Sequence, residues 1–203
     1  MPLAVIGCCR VTTRPPTRTN PGRRSLSAAF GTAPFFTFIG GGPHIVVTMM
    51  GRTSAEYGLW FICTSVGYMT GNFIASRLSQ RYGIHRMIIA GLAVEVVGGL
   101  VGIAVSAILP DHGPAELFLP QVIVSIGNGI MLPNAIAGAV SVRPKAAGAA
   151  SGLTGFTQMA LGAATAQLVT IALAGALTPM PMQLMIFGVV AIAVAGYFTL
   201  ARR

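Results

Sequence analysis

The sequence predicts an all-α membrane protein with six transmembrane helices, and three observations carry that prediction. Only 8% of the residues are charged, whereas a soluble domain needs roughly 25% to coat its surface. The mean hydropathy is +0.76. Residues 146–201 hold no charged side chain at all. Uninterrupted apolar runs of that kind suit helices rather than the short alternating strands of a barrel. The net charge of +9 does not point to nucleic acid. A nucleic-acid binder needs a solvated basic face, and here the basic residues sit between apolar runs.

Residues 1–24 stand apart. They carry Arg10, Arg14, Arg18, Arg23 and Arg24 with four prolines and no acid. With no hydrophobic period they read as a disordered basic tail. An arginine-rich, acid-free start also suits a targeting peptide, but Pro15, Pro16 and Pro21 oppose the amphipathic helix such a peptide uses.

Residues 25–203 read as the six-helix bundle. Segment one, Ser25–Met50, has no charge and is expected to break at Gly40-Gly41-Gly42-Pro43-His44. Segment two is Tyr57–Ser76. Segment three, Met87–Leu109, holds one charge, Glu95. Segment four is Leu117–Val142, weakened at Gly127-Asn128-Gly129 and Pro133-Asn134. The last run is too long for one span, since about 20 residues cross the hydrocarbon. Two prolines in Thr178-Pro179-Met180-Pro181 mark the turn. Segment five is then Ala146–Leu177 and segment six Met182–Leu200.

Assigning the connections alternately to two sides sorts the charges. One side receives the tail, Arg77, Arg81, Arg86, Arg143, Lys145, Arg202 and Arg203. The other receives Arg52 with Glu56, Asp111 and Glu116. Basic residues in short loops stay cytoplasmic, so both termini are expected inside.

Polar side chains avoid lipid, and stripes of them mark protein-facing or water-facing sides. At 100° per residue, Gln121, Ser125 and Asn128 share one narrow face of segment four. Segment five repeats the pattern with Ser151, Thr154, Gln158 and Thr165, and segment two with Thr64, Ser65, Tyr68 and Asn72. Segments one, two, four and five are therefore expected to surround a polar interior, with Tyr68, Asn72, Gln121, Asn128, Thr154 and Gln158 as cavity candidates. Segments three and six would be outer supports. The alternative for each residue is a hydrogen bond tying two helices together. Gly148, Gly152, Gly155 and Gly162 share a face of segment five and would permit close helix approach.

Glu95 lies eight positions into segment three, about 12 Å deep at 1.5 Å per residue. An ionised carboxylate there is costly, which predicts a neutral or paired group. It is a candidate proton carrier or, alternatively, a carboxyl bonded to a neighbouring helix. Cys8, Cys9 and Cys63 form neither a metal set nor a disulfide framework. His44, His85 and His112 are too scattered for a metal site. No nucleophile–base pair or phosphate loop occurs, so no enzyme, metal or cofactor is expected.

The stretch Gly71-Asn72-Phe73-Ile74-Ala75-Ser76-Arg77-Leu78-Ser79-Gln80-Arg81-Tyr82-Gly83-Ile84-His85-Arg86 resembles the loop signature of the major facilitator superfamily. Gly71, Arg77, Arg81, Gly83 and Arg86 are its positions here, and Gln80 stands where the usual Asp would be. Gly40–Val47, Ser54–Trp60, Gly127–Asn134 and Ser141–Gly152 are similar to the C-terminal half of bicyclomycin-resistance-type multidrug efflux transporters. The resemblance implies that the six segments correspond to helices seven to twelve of a twelve-helix bundle in a bacterial inner membrane. It implies proton-coupled export of small amphipathic substrates from a cavity lined by segments one, two, four and five. It also implies that the family's proton-coupling carboxylate lies in a first half, making a separate six-helix N-terminal unit a candidate partner beside the lipid bilayer. Other functions open to this sequence are a non-transporting fragment or assembly partner, and a homodimeric six-helix channel or uniporter.

Overall fold

The computed structural model describes residues 21–108, 113–141, 147–176 and 178–201. Every regular element in them is a helix: α1 (Pro21–Pro43), α2 (Ser54–Tyr82), α3 (Ile84–Ile108), α4 (Pro114–Ser141), α5 (Ala147–Leu173) and α6 (Met180–Ala201). Among the described residues, α3, α4, α5 and α6 contain stretches long and apolar enough to cross a membrane. α1 and α2 fall short of that measure. Glycine and proline dilute the apolar content of α1, and hydroxyls with Glu56, Arg77 and Arg81 dilute that of α2.

The ends of the helices have local causes. α1 opens on Pro21, whose missing N–H is harmless in a first turn. It therefore takes in Pro21–Arg24, residues expected in the tail. At the other end Pro43 does not break the helix. The chain widens into a π-helical turn over His44–Met49, with Met50 N–H donating to the Ile45 carbonyl at 2.9 Å. α2 starts at Thr53, whose hydroxyl accepts from the Glu56 N–H at 3.2 Å, a conventional N-cap. Gly83 alone separates α2 from α3. Its φ of 84° suits glycine and lets its N–H close on the Ser79 carbonyl. α5 stops at Leu173, earlier than the proline pair suggested, because Gly175 at φ 85° ends it. Pro181 falls in the first turn of α6, where proline is tolerated.

Contacts give the direction of each helix. Gly67 meets Val122 and Gly71 meets Ile126, so α2 and α4 run the same way. Gly91 meets Met131 and Gly98 meets Val124, so α3 and α4 run oppositely. Phe36 meets Gly162 and Gly40 meets Ala166, so α1 and α5 are parallel. α1, α3 and α5 thus point one way and α2, α4 and α6 the other. Arg77, Arg81 and Arg86 lie at one end of the bundle. Arg52, Glu56 and Glu116 lie at the other, where Arg52 and Glu56 pair at 3.9 Å.

α1 and α4 form the centre. α4 packs most heavily on α3 and α2, and α1 on α5 and α6; α1 also touches α4, and α3 touches α6. Exchanging α1–α3 with α4–α6 keeps these main pairings, although α4 also touches α5 where α1 scarcely meets α2. Because three is odd, α1–α3 and α4–α6 begin from opposite ends of the bundle, the arrangement of an inverted pair.

The closest packing uses missing side chains. A Cβ on Gly71 would fall on the Ile126 carbonyl, and one on Gly129 on the Tyr68 carbonyl. Gly40, Gly41 and Gly42, expected to break segment one, instead stay helical and admit Ala166, Met182 and the Tyr57 ring. A Cβ on Gly148, Gly152 or Gly155 would meet nothing within 4 Å among the described residues. The expected close approach along α5 is made at Gly162 alone of those four, against the Phe36 ring. Apolar side chains fill both ends: Phe38, Ile45, Phe118, Leu173 and Met182 at the acidic end, and Ile88, Leu92, Met131 and Tyr197 at the basic end.

Candidate functional site

A hollow of about 260 Å³ lies among α1, α2, α4 and α5, lined by Thr32, Phe35, Phe36, Tyr68, Asn128, Leu132, Gln158 and Met159. Tyr68, Asn128 and Gln158 each sit near the middle of their helix, so the hollow is at mid-length. Its walls are mostly aromatic and aliphatic, and no charged side chain lines it. A few polar groups on an apolar wall suit an uncharged or amphipathic guest, held by shape and one or two hydrogen bonds.

Helical spacing brings the lining together. Thr32, Phe35 and Phe36 follow one face of α1, and Asn128 and Leu132 are four apart on α4. The Asn128 side-chain amide donates to the Gly31 carbonyl at 2.6 Å. Pro34 removes one donor from the α1 ladder just beyond that point. Toward the acidic end the hollow gives way to an aromatic cluster. The Phe118 ring lies 5.2 Å from Phe38, 5.6 Å from Tyr57 and 5.9 Å, stacked, from Trp60.

Of the six cavity candidates, Tyr68, Asn128 and Gln158 line the hollow. Asn72 is half-buried, and its amide donates to its own helix at the Tyr68 carbonyl, 3.2 Å away. Thr154 is buried. Gln121 is buried too, and its Nε2, like the Ser125 hydroxyl, has no hydrogen-bond partner among the described residues. Those two orphans continue the Asn128 face of α4 toward the aromatic cluster. The neighbouring hydroxyls Thr64 and Thr165 turn back onto their own helices. The aromatic lining at Phe35 and Phe36 was not expected from the sequence. Its signal is the spacing Thr32, Phe35, Phe36, which a search for polar stripes passes over.

Glu95 is fully buried, but not in the hollow. It lies in the seam between α3 and α4, where a Cβ on Gly127 would sit 2.7 Å from its Cγ. Neither carboxyl oxygen has a hydrogen-bond partner among the described residues. Leaving such a group unpaired costs about 1–3 kcal/mol even when it is neutral. Segment three is thus an outer helix with respect to the hollow, yet its packing on α4 is the most extensive of any helix pair.

The loop-signature residues gather at the α2–α3 corner. Gly71 is buried against α4, Gly83 makes the turn, and Arg77, Arg81 and Arg86 are exposed. Close by, the Tyr197 hydroxyl of α6 hydrogen-bonds His85 Nδ1, with the rings stacked 5.5 Å apart. Among the described residues no group of three His, Cys, Asp or Glu converges as a metal site would require. Arg143, Lys145, Asp111 and His112 lie outside the described residues.

An all-helical, strongly apolar bundle with helices of membrane-spanning length marks a multi-pass membrane protein. Over 178 residues the chain is 27% identical to the bicyclomycin resistance protein homolog of Haemophilus influenzae. That match takes in 88% of this chain and 44% of that protein. Over 111 residues it is 32% identical to the multidrug transporter MdfA of Edwardsiella piscicida and of Edwardsiella tarda, 55% of this chain and 26% of each relative. The chain is thus related to bicyclomycin-resistance-type multidrug transporters of the major facilitator superfamily, which are not enzymes. No family model matches it. It spans less than half the length of these relatives.

Proposed function

We propose that the chain supplies the six-helix unit corresponding to helices seven to twelve of a proton-coupled exporter of small amphipathic molecules. In this reading residues 25–203 are the transmembrane bundle, residues 1–24 a basic tail, and both termini face the cytoplasm of a bacterial inner membrane. The observation that carries the reading is the uncharged hollow at the middle of α1, α2, α4 and α5. Midplane sites between repeats are where such transporters bind their cargo. Tyr68, Asn128 and Gln158 are the polar contacts for that cargo. Asn72, Gln121 and Thr154 support them from the same three helices. Glu95 is the carboxyl of this unit that can carry a proton, and it acts through the α3–α4 seam rather than by touching substrate.

Alternating access is rocking of one six-helix bundle against another. Export therefore needs a complementary six-helix unit, and the chain alone should not perform it. The test is efflux of a fluorescent amphipathic cation from vesicles under a proton gradient, with this chain present alone or with a complementary unit. Export that appears only with both supports the reading. Proton-driven export by the chain alone would sink it.

A further inference from the structure

Among the described residues, no acidic side chain lies beside the basic α2–α3 corner. Arg77, Arg81 and Arg86 are all exposed there. The chain has four acidic residues. Glu56 pairs with Arg52 at the opposite end, Glu95 is buried within α3, and Asp111 and Glu116 follow the far end of α3 in sequence. α3 is 25 residues long, so that end lies about 37 Å away at 1.5 Å per residue. Screening removes most of an exposed interaction beyond about 8 Å. No described acidic group of the chain is therefore within reach of the corner.

The corner is also apolar in a directed way. Phe73, Arg77 and Arg81 follow one another at four-residue steps along one face of α2. Phe73 is 61% exposed and Tyr82 is 47% exposed, with Leu78 exposed beside them. The Arg77 guanidinium lies over the Phe73 ring, 5.2 Å from its centroid, and that of Arg81 is 5.7 Å from the Tyr82 ring. The Phe73 ring below and the Arg77 guanidinium above it are the layering of a phospholipid, acyl chain below and phosphate above.

We propose that this corner binds an anionic phospholipid, its phosphate held by Arg77, Arg81 and Arg86 and its first acyl carbons lying on Phe73. Phosphate geometry favours arginine forks over point charges. A soluble acidic partner would match the charge but leave the exposed rings uncovered.

The test is native mass spectrometry of the full chain in mild detergent with phosphatidylglycerol, phosphatidylcholine or inorganic phosphate added. Phosphatidylglycerol should bind in preference to phosphatidylcholine. Each arginine contributes about fivefold and the three together roughly a hundredfold. Arg77→Gln/Arg81→Gln/Arg86→Gln should erase the preference while leaving phosphatidylcholine binding unchanged. The corresponding triple lysine variant should keep most of it. Should the glutamine triple fail to fold, Arg81→Gln alone should still lower the preference about fivefold. Phe73→Ala should weaken the lipid and not inorganic phosphate. Equal binding of the two lipids, or a preference that survives loss of the arginines, would overturn the proposal. So would inorganic phosphate displacing phosphatidylglycerol at equal concentration, since the site would then serve free phosphate.

Discussion

The side-chain amide of Asn128 reaches from α4 to the backbone carbonyl of Gly31 on α1, 2.6 Å away, and so pins together the two central helices beside the hollow. Asn128→Ala should lower unfolding stability in bicelles by about 0.6–1.7 kcal/mol, the range for hydrogen bonds between membrane helices. Asn128→Gln, one methylene longer, should not restore it. A change below 0.3 kcal/mol would mean that the bond contributes nothing net.

Glycines divide into two groups with opposite expectations. Gly71→Ala drives a Cβ onto the Ile126 carbonyl, backbone that cannot swing aside. It should cost about 1–3 kcal/mol or more. Gly148→Ala, whose Cβ would meet nothing within 4 Å among the described residues, should be neutral or stabilise by up to about 1 kcal/mol through helix propensity. Thermal unfolding of the two variants in the same detergent makes the comparison. Loss of export by Gly148→Ala with stability intact would indicate that a complementary unit packs on that face.

Glu95→Gln replaces a buried carboxyl by a neutral group of the same shape. Folded yield should be unchanged and unfolding free energy should shift by less than about 1 kcal/mol, since one unpaired polar group replaces another, while proton-driven export in the assembled transporter falls. Glu95→Lys puts a charge against Gly127 and should abolish folding. Severe loss of folded protein in Glu95→Gln would show that the carboxyl is ionised and paired.

Orientation can be read by thiol labelling. In a background with Cys8, Cys9 and Cys63 changed to Ser, Arg81→Cys should react with an impermeant maleimide only from the cytoplasmic side. Arg52→Cys should react only from the outside. The reverse pattern would invert the proposed topology.

Much of the architecture was legible because membrane burial leaves coarse marks. Charge-free runs gave the helices, and the sorting of arginines gave two ends that the helix directions keep apart. The polar stripes were legible for the same reason, although interior polar groups also turn back on their own helix, as Asn72 and Thr64 do. Glycine was the misleading residue. Gly40–Gly42 read as a break, yet in a helix the absence of a Cβ serves close approach equally well, and only the neighbour distinguishes the two uses. The same holds for Gly148, Gly152 and Gly155, whose stripe is regular and whose neighbours are absent from this chain's described residues. Glu95 was conspicuous in sequence, but its place in the α3–α4 seam depends on which helix meets Gly127.

The opposite senses of α1–α3 and α4–α6 impose a condition on their loops. Two copies of one three-helix unit threaded through a membrane in opposite senses cannot keep the same loop charges, because the insertion machinery reads arginine and lysine as cytoplasmic. The corner between α2 and α3 carries Arg77, Arg81 and Arg86, while its counterpart between α5 and α6, residues 174–179, carries no charge. The counterpart of the α1–α2 connection, with its single Arg52, is the α4–α5 connection with Arg143 and Lys145. Each corner is basic where its twin is not. Loop charge, more than helix packing, is therefore where the two three-helix sets must differ.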